Sequence, residues 1–152
     1  MKPNVLKHNA EPELLLSGKK LEWVDIHEYL GVIISTDMKD DLNVREQCRK
    51  LYGRGNMIIR NFSSCSVKVK CELFQAYCTN LYCSSLWVAH SVESIRLLKV
   101  AYNRIFRILV GFSHRTSMSN MFIKHELDPI PVILRKSIGS FRRRILKSDN
   151  QR

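Results

Sequence analysis

At 152 residues and 45% hydrophobic, the chain is long enough for one domain with a sizeable core and too apolar for a disordered tail. Lys and Arg number 25 against 14 Asp and Glu, a formal charge of +11, which points to a polyanionic partner: RNA, DNA or an anionic membrane surface. The charge is unevenly spread. Residues 1–41 hold 5 basic and 8 acidic residues, net −3, and residues 42–152 hold 20 basic and 6 acidic, net +14. The first residues, MKPNVLKHNAEPE, lack the apolar core of a signal peptide, so the chain is expected inside the cell, in cytoplasm or nucleus. Five cysteines, Cys48, Cys65, Cys71, Cys78 and Cys83, are odd in number and form no CxxC pair, which argues for reduced thiols rather than a disulfide framework.

In chain order, ELLLS, KKLEWV and HEYLGVIIS over residues 13–35 alternate apolar and polar side chains between turn residues. They predict a small antiparallel sheet with a turn at Gly18-Lys19. Asp37 to Asp41 reads as a turn into a helix capped near Asp40 or Asp41, and the β-to-α boundary falls there, with residues 1–38 before it and 39–152 after. From Leu42 to Phe62 the stripe Val44, Cys48, Leu51, Ile58, Ile59 and Phe62 is helical, and Gly55 on that stripe predicts a close approach of another backbone, or a kink.

A second helix, apolar on more than one face and therefore central, is predicted from the break at Ser63–Ser66 to about Trp87. Residues 73–92 carry no Lys, Arg, Asp or Glu, but Gln75, Thr79, Asn80, Ser84, Ser85 and His90 interrupt them, which argues against a membrane span. A third helix is bounded by Ser91 and Gly111, with Glu93 in its first turn. Two further helices are predicted over about residues 117–126 and 132–146, separated by Asp128-Pro129-Ile130-Pro131. The fold class that follows is α+β, mainly α, with a small N-terminal sheet and a basic bundle of about five helices.

The third helix carries the strongest candidate site. At about 100° per residue, Ile95, Leu98, Tyr102, Ile105, Phe106 and Leu109 fall on one side and Arg96, Lys99, Asn103 and Arg107 fall opposite. Such a row can follow a phosphate backbone, or simply be a solvated face. Arg142, Arg143 and Arg144, joined by Arg135, Lys136 and Lys147, form a second basic cluster, suited to phosphate or to nuclear import, although three adjacent side chains cannot share one face. Asp40 and Asp41 fit helix capping better than metal binding, because two-metal chemistry needs carboxylates on rigid facing elements. The spacings of Cys78, Cys83 and His90 match no structural zinc pattern. No P-loop, nucleophile elbow or HExxH motif occurs. No catalytic residue, metal or cofactor is expected.

Four segments, EYLGVIIS (28–35), VREQCRKLYGRGNMIIRNFSSCS (44–66), VKCELFQAYCTNLYCSSLW (69–87) and LLKVAYNRIFRILVGFS (97–113), resemble in order the C-terminal part of reverse transcriptases from non-LTR, LINE-like retrotransposons. The resemblance runs from about Glu13 to Lys147. It implies that residues 13–35 correspond to the end of the palm, where Tyr29, Leu30 and Gly31 form a primer-grip-like hairpin, and that residues 42–152 correspond to the thumb, which packs along the template–primer duplex. The family's catalytic motif, two adjacent aspartates after an aromatic-small pair, has no counterpart here and would lie before Met1. The expected function is therefore that of a non-catalytic fragment binding RNA, DNA or an RNA–DNA hybrid, with a palm and fingers polypeptide in trans as a further partner and no membrane. The alternatives are a protein-interaction module and an unstable remnant of a truncated element.

Overall fold

The first two elements are held together by tight two-residue turns. In the computed structural model, which describes residues 13–113 and 115–148, β1 (Leu15–Leu16) pairs antiparallel with β2 (Lys19–Lys20), and β3 (Ile26–Tyr29) pairs antiparallel with β4 (Val32–Ser35). Tyr29 faces Val32 across Leu30 and Gly31, whose φ values are 49° and 77°. Positive φ at both central residues is the mark of a hairpin turn whose twist matches the strands, and Gly31 takes it without a Cβ penalty. Instead of one sheet there are two separate hairpins. The first turns at Ser17-Gly18, one residue before the predicted Gly18-Lys19, and HEYLGVIIS folds back on itself instead of forming one strand. The expectation about a leader segment concerns residues outside the described span, which begins at Glu13.

Five helices follow: α1 (Asp41–Asn61), α2 (Val67–Cys78), α3 (Val92–Val110), α4 (Met118–Lys124) and α5 (Ile130–Lys147). The predicted mainly helical α+β class holds. α1 packs chiefly against α3, and the two helices start side by side. Asp40 lies at the N-cap of α1, as predicted, but its carboxylate turns away from its own helix and accepts hydrogen bonds from Val88 N and Ala89 N, both at 2.8 Å. Asp41 accepts from Ser91 N at 2.8 Å and Ser91 Oγ at 2.9 Å. Two carboxylates thus sit where two helix N-termini converge, a favourable place for negative charge.

Further along the same pair, a Cβ built on Gly55 would stand 2.3 Å from Ile105 Cγ2. The predicted close approach at Gly55 is therefore made by the Ile105 side chain, not by a neighbouring backbone. α2 covers this pair with Phe74, whose ring lies 4.9 Å from that of Tyr102 and 5.0 Å from that of Phe106; Phe122 of α4 extends the cluster. Such ring pairs add about 0.5–1.5 kcal/mol each beyond area burial. The buried Tyr102 hydroxyl is satisfied by donating to Asp128 O at 3.0 Å, which ties α3 to the segment leading into α5.

The second helix is shorter than predicted: α2 stops at Cys78, and a 3-10 turn over Ser84–Leu86 follows a left-handed Cys83 with φ 54°. Arg54 of α1 holds the chain open there by donating to Tyr77 O and Asn80 O. Among the described residues no helix is long and apolar enough to cross a membrane.

Candidate nucleic-acid interface

α3 is sharply bounded for local reasons. Ser91 Oγ accepts from Ser94 N at 3.1 Å, Glu93 occupies the first turn, and Gly111, with φ 76°, donates its N–H to Arg107 O and Ile108 O. Leu98, Tyr102, Ile105, Phe106 and Leu109 are buried, as the spacing predicts, Ala101 is buried with them, and Ile95 is half-buried.

The opposite face differs from the predicted one. Its solvent stripe is Glu93, Arg96, Leu97, Val100, Arg104 and Ile108. Arg96 forks onto Glu93 through Nε and Nη2, each at 2.7 Å, so its charge is locally compensated; an exposed pair of this kind adds little stability. Lys99 is exposed. Arg107 and Asn103 are only half-exposed, because they stand on the flank over which the chain folds back after Gly111, and Arg107 Nη2 donates to Thr116 O at 3.1 Å. Arg107 Nε is buried with no hydrogen-bond partner. Arg107 is thus part of a tertiary junction rather than of an open basic row. Arg104, which the sequence pattern passed over, is exposed in its place; its position about two turns beyond Arg96 and off the row of Leu98, Tyr102, Ile105 and Leu109 was the available signal.

Two shallow clefts flank this helix. One, of about 480 Å³, is lined by Val100, Asn103, Arg104, Arg107, Ile108 and Phe112 and has no carboxylate. The other, of about 890 Å³, lies between α3, α4 and the Pro129-Pro131 segment, and its lining includes both Lys99 and Arg107 and the acidic Glu126 and Asp128. Asn103 and Arg107 line both. At the edge of the first cleft, Lys124 Nζ lies 5.6 Å from the centre of the Phe112 ring. Beside it His125 stands edge-on to Phe106, and burial pushes the His125 pKa down.

The second basic cluster is on α5. Its first half docks on the Ser84–Leu86 turn, where Ser84 Oγ bonds Ser137 Oγ at 3.1 Å, and Ile130 is buried. Every residue from Arg142 to Lys147 is exposed, so Arg142, Arg143 and Arg144 all reach solvent even though they point in different directions around the helix. The apolar residues spaced along this helix are covered only in part: Leu134 packs on the core, Phe141 is half-buried beneath Arg144, and Ile138 and Ile145 are exposed. α5 carries Arg135, Lys136, Arg142, Arg143, Arg144 and Lys147 and no Asp or Glu. Lys136 pairs with Asp128.

Tyr29, Leu30 and Gly31 form the tip of the β3–β4 hairpin, with Tyr29 and Leu30 exposed. Asn43, buried on α1, fixes the hairpin: its Nδ2 donates to Ile33 O at 2.7 Å and its Oδ1 accepts from Ile33 N at 2.8 Å. It completes the open edge of β4 as a neighbouring strand would. Tyr82 donates its hydroxyl to Leu30 O at 2.8 Å and places its ring 3.3 Å from where a Gly31 Cβ would be. The sequence reading missed Asn43 and Gln47, polar residues on the buried stripe of α1; Gln47 Oε1 accepts from Tyr82 N.

The five cysteines are free thiols, and burial pushes Cys78 up to about 12. Among the described residues no group of three or more His, Cys, Asp or Glu could hold a metal ion. No protein-family model matches the chain, and no curated protein or solved structure matches it.

Proposed function

We propose that this chain is a non-catalytic piece of a reverse transcriptase of the non-LTR, LINE-like kind, which binds template–primer nucleic acid through its basic helical segment inside the cell. The observation that carries this reading is α5: six cations, no carboxylate, and a second half exposed to solvent. Arginines spread around a helix suit contact with successive phosphates and read no base sequence. The four family-like segments supply the reverse-transcriptase part of the reading. The one adjacent aspartate pair, Asp40-Asp41, accepts hydrogen bonds from Val88, Ala89 and Ser91, which supports a structural role for it and no polymerase activity for the chain alone.

The experiment is titration of a fluorescent RNA–DNA hybrid at several salt concentrations. The parent should bind, and Arg142→Gln, Arg143→Gln and Arg144→Gln combined should weaken binding equally for unrelated sequences. The salt slope should fall by roughly 0.9 for each duplex phosphate that the variant no longer neutralises. An unchanged affinity and slope would remove this helix from the interface. Primer extension with Mg²⁺ or Mn²⁺ should yield no product.

A second reading is favoured by one observation: Leu14, Leu15, Leu16, Leu21, Val24 and Ile26 are exposed on the two hairpins. An apolar surface of this kind suits a protein partner, such as a palm and fingers polypeptide. Binding of such a partner would resist salt, whereas phosphate binding would not.

A further inference from the structure

Of the two clefts beside α3, the smaller combines positive charge with open apolar surface and has no carboxylate in its lining. Val100 and Ile108 are 47% and 54% exposed in it, and Phe112 closes its end beneath Lys124. Arg104 is free to reach solvent from its floor, while Arg107 is held by Thr116 O with a buried Nε that no acceptor satisfies. Asn103 adds an amide able both to donate and to accept. The larger cleft carries Glu126 and Asp128 on its wall, which disfavours an anion there.

We infer that the smaller cleft receives an unpaired nucleotide from a single-stranded stretch of nucleic acid, an inference that rests on the nucleic-acid reading proposed above. The base lies on the Val100, Ile108 and Phe112 surface, Arg104 takes a flanking phosphate, and Asn103 faces the base edge, while Arg107 stays in its junction with Thr116 and adds only its charge to the cleft wall. A guanidinium beside an apolar shelf is the combination single-strand binders use, with the phosphates on cations and the bases on stacking platforms. Duplex cannot fill this cleft, since its base faces are already stacked on their neighbours. The volume of about 480 Å³ lies within the range of small-ligand pockets, about 300–1,000 Å³. The two basic features are thereby divided: α5 holds duplex phosphates, and the α3 cleft holds the adjoining unpaired strand.

The test compares a blunt RNA–DNA hybrid with the same hybrid extended by a short single-stranded tail, both bound by the full chain. The tailed probe should bind at least about fivefold more tightly, the low end of the gain expected from one stacked base. Ile108→Asn, at an exposed position that leaves every charge in place, should abolish this advantage while leaving blunt-hybrid binding intact. Arg104→Gln should reduce the advantage and make it less salt-dependent; it serves as the second variant should Ile108→Asn perturb folding. Blunt binding with no gain from the tail, or a gain that survives both variants, overturns the cleft assignment alone. Failure of the parent to bind either probe overturns the nucleic-acid reading and the cleft with it.

Discussion

Gly55 shows how a single missing side chain sets a helix spacing. With Ile105 Cγ2 at 2.3 Å from the position of an added Cβ, Gly55→Ala forces α1 from α3 and should cost about 1–3 kcal/mol in chemical denaturation. Ile105→Ala in the same chain removes the clashing atom, so the double variant should be more stable than the sum of the two single losses. Strict additivity would refute the contact. At the hairpin tip, Gly31 has φ 77° beside the Tyr82 ring, a conformation that a β-branched residue rarely adopts. Gly31→Val should speed hydrogen exchange at Ile33 N, the amide held by Asn43, while the α3 amides keep their protection. Unchanged exchange at Ile33 would count against the tight turn. The close approach at Gly55 was legible from its place on the apolar stripe, whereas at Gly31 the pattern ran one strand through the turn and only the resemblance implied a hairpin. The partner at neither site was legible, because Ile105 and Tyr82 lie 50 residues or more along the chain from them.

Among the elements, α3 and α2 contrast in how much their sequences reveal. α3 has a serine cap, a C-terminal glycine and one unbroken apolar face, so its limits and buried side followed from local chemistry. Its outer face did not, because the segment after Gly111 folds back and takes Arg107 into a junction with Thr116. This changes how that face should be tested: Arg96→Gln with Lys99→Gln leaves the junction intact, whereas Arg107→Gln disturbs it. Glu93→Gln releases the forked Arg96 guanidinium and should tighten binding to an RNA–DNA hybrid in low salt; unchanged binding would show that Arg96 takes no part. α2 ended early because Arg54 and the left-handed Cys83 fix the exit of the chain, and neither is signalled by apolar spacing.

For the molecule as a whole, the junction of α1 with the start of α3 holds the parallel helix pair together and titrates. The Ser94 hydroxyl, with the Ser91 amide and hydroxyl, lowers Asp41 from the ordinary 3.8 to about 2. A carboxylate depressed on folding stabilises the native state above its unfolded pKa and loses that contribution as pH falls through the folded value. The junction should therefore loosen between about pH 4 and pH 2. Asp41→Asn should be less stable than the parent at neutral pH and converge with it near pH 2, followed by circular dichroism. A constant difference across that range would exclude the linkage. Local sequence was enough to specify the helical class, the order of the elements, the basic second segment and most of the buried face of α1 and α3, because periodicity, capping residues and charge act over a few residues. Long-range packing settled the rest: Asp40 and Asp41 bind another helix's entry loop, Asn43 completes a strand edge, and Arg104 rather than Arg107 faces solvent. In each case the deciding partner is distant in sequence or is brought in by a reversal of the chain, which a local pattern cannot encode.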